Sequence, residues 1–121
     1  MLDPEVVAVH EQEVRRGSVV VASLLMLRTP GYGYGLLEAL ADAGFPVEAN
    51  TLYPLLRRLE KQGLLVSEWN TDESRPRKFY RTSPAGRELA ESLLREWNTL
   101  ARSLGALDPG PTEPTTEGGA S

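Results

Sequence analysis

Two groups of side chains in this 121-residue sequence could do chemistry, and both suit the binding of an anion. The first is Asn50, Thr51, Tyr53, Arg57, Arg58 and Lys61; the second is Arg75, Arg77 and Lys78. Their guanidinium, ammonium, amide and hydroxyl groups donate hydrogen bonds to phosphate oxygens and to base edges. Tyr32 and Tyr34 add two phenols able to bond a phosphate. No carboxylate pair, nucleophile beside a base or phosphate-cradling glycine loop stands out, so an enzyme is the least expected class. The single histidine, His10, has no partner at ligand spacing, and there are no cysteines, so neither a metal site nor any other cofactor is expected.

The first group needs a rod to present it. Leu52, Leu55, Leu56 and Leu59 fall at i, i+3, i+4 and i+7, one apolar stripe of a helix, and the polar group lies off that stripe. A short helix of this kind suits insertion into a DNA groove, although the pattern alone also fits a surface helix with a solvated charged face. Pro54 is tolerated in a first turn, so the cap is expected at Asn50 or Thr51, leaving N–H groups at the helix start where a phosphate binds favourably. Gly63 is the expected stop.

The second group needs a hairpin. Leu64 to Asn70 and Arg77 to Thr82 are β-prone runs flanking the polar segment 71–76, which carries Arg75 beside Arg77 and Lys78. Upstream, Leu36 to Ala43 reads as a helix ended by Gly44, and the short link Phe45-Pro46-Val47 joins it to the leucine-striped helix, a helix-turn-helix arrangement. A basic hairpin after such a pair is a wing. Glu5 to Arg28 reads as one helix, apolar around so much of its girth that a second chain is expected to help cover it. Ser83-Pro84 starts a final helix on which Leu93, Trp97, Leu100, Leu104 and Leu107 form a heptad seam, suited to packing against a partner copy.

The fold class is thus mainly α with a small β-hairpin: a winged helix-turn-helix with N- and C-terminal dimerisation helices. Its expected divisions are an N-terminal segment (1–14, partly helical), a winged helix-turn-helix (15–86), a dimerisation helix (87–107) and a disordered tail (108–121), the last rich in Pro, Gly, Thr and Glu. Net charge is −4, yet residues 50–81 hold seven cations against four anions, while the acids crowd the two ends. That distribution, rather than the sum, favours nucleic acid as partner. The apolar run after Arg15-Arg16 follows four acids and lacks a small-residue cleavage site, so it reads as a core helix of a cytoplasmic protein with no membrane partner.

The stretch Thr51 to Leu64, the stretch Arg77 to Arg87 and Gly33-Tyr34-Gly35 together resemble the PadR family of bacterial transcriptional regulators, over roughly residues 17–104. Thr82 stands where that family is usually apolar, and Glu48-Ala49-Asn50 replaces its small or turn-forming residues. The resemblance implies a homodimeric winged-helix repressor whose C-terminal helix exchanges contacts with the partner's N-terminal helix. The short single C-terminal helix is similar to that of the smaller subgroup, in which some members bind planar, often cationic, drugs between two tryptophans at the dimer interface. Trp97 lies where that tryptophan would lie, and Val21 and Leu93 are the residues expected beside it.

The expected function is a dimeric DNA-binding regulator, a repressor released by a planar aromatic small molecule, acting on double-stranded palindromic operator DNA. The alternative is a winged-helix protein-interaction adaptor without DNA binding, which only the net acidity supports.

Overall fold

A computed structural model describes residues 1–72, 74–108 and 110. Among them the chain runs α1 (Pro4–Arg16), α2 (Ser18–Met26), β1 (Gly31–Tyr32), α3 (Gly33–Asp42), α4 (Ala49–Lys61), β2 (Leu65–Asn70), β3 (Arg77–Thr82) and α5 (Pro84–Leu107). It divides into two units, residues 1–91 and 92–121.

The core of the first unit gathers Ala22 and Leu24 of α2, Leu36 and Leu40 of α3, Leu65 of β2, Tyr80 of β3 and Ala90 of α5 around the α4 stripe. Leu52, Leu55, Leu56 and Leu59 are all buried there. Each leucine removed from water contributes about 1.5–3 kcal/mol, so this stripe is what fixes the orientation of α4.

The single helix expected over Glu5 to Arg28 is two. Gly17 keeps helical angles (φ −71°, ψ −24°), but its N–H bonds the Arg15 carbonyl. The Ser18 hydroxyl donates to that same carbonyl at 2.5 Å. Short side-chain bonds of this kind compete with the i→i+4 ladder and break it here. On α2, Val19, Val21, Ala22, Ser23 and Leu24 are buried within the chain itself. The apolar girth read from the sequence therefore finds most of its cover without a second copy. On α1 no residue is buried.

The β2–β3 hairpin forms where expected, with Leu65 opposite Thr82 and Asn70 opposite Arg77. β1 was not expected: Gly31 and Tyr32 pair antiparallel with Tyr80 and Phe79, giving the order β1-β3-β2. At the foot of the hairpin Thr82 is 3% exposed. Its hydroxyl donates to the Leu24 carbonyl at 2.6 Å and its N–H to the Leu27 carbonyl at 2.8 Å. Thr82 thus satisfies carbonyls that the end of α2 leaves open.

The turn between α3 and α4 passes through Gly44 (φ +98°), and α4 ends at Gly63 (φ +78°). Both are left-handed positions that favour glycine, and Leu64 N–H closes the second by bonding the Leu59 carbonyl at 2.9 Å. The start of α4 differs from expectation. Its cap is Glu48, whose carbonyl accepts from Thr51 and Leu52 N–H, both at 2.9 Å. Pro54 therefore lies in the second turn and cannot donate to the Asn50 carbonyl. Both residues are exposed, so water can take that acceptor, and the proline is tolerated one turn later than the first-turn rule places it.

Ser83 caps α5, accepting from Gly86 N–H at 3.0 Å and donating to the Gly63 carbonyl at 2.6 Å. In the second unit the remainder of α5 carries Leu93 and Trp97 half-buried, and Leu100, Leu104 and Leu107 exposed. The tail expected to be disordered lies, apart from Asp108 and Gly110, outside the described residues.

Candidate nucleic-acid interface

The leucine stripe decides which α4 side chains face outward. At 3.6 residues per turn, Asn50, Pro54, Arg57 and Lys61 (i, i+4, i+7, i+11) form a line opposite the stripe. All four are exposed. Thr51 and Arg58, seven apart and also exposed, lie on one flank; Tyr53 and Glu60, seven apart and half-buried, lie on the other. Arg57 and Arg58 are adjacent in sequence, yet they project to different sides.

The Tyr53–Glu60 flank faces the hairpin. A Cβ built on Gly33 would lie 2.5 Å from Cε1 of Tyr53, so only glycine at the start of α3 lets that ring pack where it does. Glu60 reaches across to both strands. Its carboxylate accepts from the Ser67 hydroxyl of β2, and its other oxygen lies 3.1 Å from Lys78 Nζ of β3. The Ser67 hydrogen bond, acting against burial and aided by Lys78, holds the Glu60 carboxyl below its ordinary value. Burial disfavours the Lys78 charge, but the bond to Glu60 and the nearby Tyr80 outweigh it and raise the ammonium above its ordinary value. Both groups are therefore charged at neutral pH.

Tyr32 is fixed from three sides. Its hydroxyl accepts from the Asn70 amide at 2.7 Å, the Arg77 guanidinium stacks 3.9 Å from its ring centroid, and Phe79 meets it edge-on at 5.9 Å. Tyr34 is 62% exposed beside it. Arg75 is exposed in the segment between the strands, whereas Arg77 and Lys78 belong to β3 itself.

The eleven residues expected to meet nucleic acid thus sit on α4, on β1 and the start of α3, and on the hairpin, all within the first unit. Lys78 is not a free wing cation, because Glu60 holds it. Of the residues expected at an effector site, Val21 is 5% exposed in the first unit, while Leu93 and Trp97 are half-buried in the second. Glu60, Ser67 and Trp69 were not among the residues expected at the site. A signal existed for the last: period-two alternation puts Leu65, Ser67 and Trp69 on one face of β2, and Trp69 lies on it beyond the reach of the core.

A family model described as the transcriptional regulator PadR-like family matches residues 23–92, which takes in α3, α4, the sheet and the first turns of α5. The chain belongs to that family. Transcriptional regulator Rv3488 of Mycobacterium tuberculosis is 42% identical over 73 residues, spanning 60% of this chain and 68% of that protein. A PadR family transcriptional regulator from Eggerthella lenta superposes with a TM-score of 0.82 at 48% identity, covering 85% of this chain and 92% of that one. A PadR-like transcriptional regulator from Bacillus cereus gives 0.70 at 25% identity, covering 82% and 99%. The fold is the family's winged helix. PadR-family proteins regulate transcription by binding DNA and are not enzymes. No helix among the described residues is long and apolar enough to cross a membrane.

Proposed function

We propose that this protein is a homodimeric repressor of a palindromic operator, with α4 in the major groove of each half-site. The observation that carries this reading is the line Asn50, Pro54, Arg57 and Lys61 facing away from four buried leucines. Arg57 and the residues at the helix start, Asn50, Thr51 and Tyr53, would meet base edges and phosphates. Arg58 and Lys61 would meet backbone, Arg75 and Arg77 the region beside the wing, and Tyr32 and Tyr34 a phosphate at the start of α3. Dimerisation is supported by exposed leucines on the heptad seam, Leu100, Leu104 and Leu107, and by exposed Val6, Val9 and Val14 on α1. Two-fold symmetry then sets the half-sites about one helical turn, ~34 Å, apart.

The test is binding to the DNA upstream of the protein's own gene across a salt series. Log affinity should fall by about 0.9 per log unit of salt for each phosphate neutralised, and Arg57→Ala should abolish discrimination against unrelated duplex. Salt-independent binding, or an Arg57→Ala chain that discriminates as well as the parent, would overturn the assignment. For release, we propose a planar aromatic effector stacked on Trp97 beside Leu93. Titrating tryptophan emission with planar dyes, with Trp97→Ala as control, tests it; emission that does not change removes the effector.

A further inference from the structure

A cleft of about 320 Å³ lies between α4, the start of α3 and the inner face of the hairpin. Its walls include Tyr32, Tyr34, Tyr53, Trp69, Arg77 and Lys78. Two of these aromatics stand largely in water, Tyr34 at 62% and Trp69 at 63% exposure. Large aromatic faces left open on one cleft mark a binding surface more often than a packing accident. We propose that this cleft seats one sugar–phosphate strand of bound duplex DNA, with Trp69 packed on a deoxyribose and the Tyr34 hydroxyl meeting the neighbouring phosphate.

The chemistry of the lining selects this occupant. Aromatic faces alternate with phenol hydroxyls and cations, so the partner must alternate apolar surface with anionic oxygen. A purely apolar partner would strip water from Lys78 and from the exposed Tyr34 hydroxyl without replacing their bonds. A bare inorganic anion would leave the rings uncovered. Deoxyribose and phosphate alternate at the required scale. Placement argues the same way. Tyr53 belongs to the α4 flank and Trp69 to the wing strand, so a backbone passing from the groove entered by α4 to the wing crosses this cleft. The strand contact rests on the DNA-binding reading above and adds Trp69, which that reading does not use.

The indole carries no charge, which gives its contact a distinct signature. Full-length protein is titrated with a labelled duplex from upstream of its own gene at several salt concentrations. Trp69→Ala should weaken binding about tenfold and leave the slope of log affinity against log salt unchanged, since no counterion release is lost. Trp69→Phe should recover most of the loss. Arg77→Ala should weaken binding and also reduce the slope by about 0.9. In a Trp97→Phe chain, where Trp69 is the remaining tryptophan, its emission should change on adding duplex. Unchanged affinity for Trp69→Ala, while Arg57→Ala loses discrimination, overturns the cleft contact and leaves the DNA reading standing. Trp69 emission that responds to a planar dye but not to duplex also overturns it, in favour of a small-molecule pocket. Absence of duplex binding by the parent chain overturns both.

Discussion

Lys78 Nζ lies 3.1 Å from the Glu60 carboxylate, so a cation of the wing strand is tied to the last turns of α4. Ser67 bonds the same carboxylate, and the three residues form a brace between the helix and both strands. The brace sets the angle between the two parts that would meet DNA. Glu60→Gln should loosen it and release Lys78. Because the pair is partly exposed (28% and 33%), the stability cost should be about 1 kcal/mol or less, read as a small fall in urea midpoint. Salt-dependent DNA binding should show the larger effect, a slope steeper by up to about 0.9 as Lys78 becomes available to phosphate.

The same pair makes a pH dependence of known sign. Glu60 has a lowered pKa in the folded chain, chiefly through the Ser67 bond, so its contribution is complete above the ordinary carboxylate range. That contribution is lost as pH falls through the lowered folded value. Burial opposes the Lys78 charge, but Glu60 and Tyr80 together outweigh it and raise the ammonium, so its contribution is complete below the ordinary lysine range and lost only as pH rises beyond that. Parent and Glu60→Gln chains should therefore differ by a constant urea midpoint near neutrality. The difference should shrink once pH falls below the ordinary glutamate range and the carboxylate takes up its proton.

Two glycines should behave in opposite ways. A Cβ on Gly86 would lie 2.2 Å from the Leu64 carbonyl oxygen and 2.7 Å from Thr82 Cγ2. That oxygen is backbone and already accepts from Ser83 N–H, so it cannot give way. Gly86→Ala should cost about 3 kcal/mol, seen as a lower urea midpoint at unchanged slope. The atom facing Gly33 is instead the ring of Tyr53. Gly33→Ala should push that ring outward, cost about 1 kcal/mol or less, and weaken DNA binding severalfold in the same titration.

Leu104 is 63% exposed on the heptad seam. Leu104→Asp should convert the proposed dimer to a monomer in sedimentation analysis. The residue buries little in its own chain, so the monomer's midpoint should move by no more than about 0.5 kcal/mol.

Much of this arrangement was legible in the sequence because it follows from local periodicity. The spacing of Leu52, Leu55, Leu56 and Leu59 placed one face of α4 in the core, and Ser83-Pro84 marked the start of α5. Other features depend on residues far apart in the chain. β1 is two residues long and exists because Tyr80 and Phe79 lie opposite it, a pairing no local pattern announces. The bond of Lys78 to Glu60 joins positions eighteen apart, so the sequence placed Lys78 on the wing but not the brace that ties it to α4. At Gly17 the valine run beyond it suggested continuity, whereas a serine hydroxyl reaching back to Arg15 divides the helix. Pro54 misled for a different reason: the rule against proline in a helix assumes that a missing bond cannot be replaced, and on an exposed face water can replace it.

Helix α1 remains the least anchored part of the first unit. It has an Asp3 cap and one bond from Arg15 to the Gly44 carbonyl at 2.8 Å, and it buries none of its own residues. Thirteen residues are near the limit at which an isolated helix holds together in water. Its order should therefore depend on how crowded the solution is with copies of itself. On progressive dilution, amide protons of residues 5–14 should exchange with solvent at nearly unfolded rates while those of Leu52 to Leu59 stay protected.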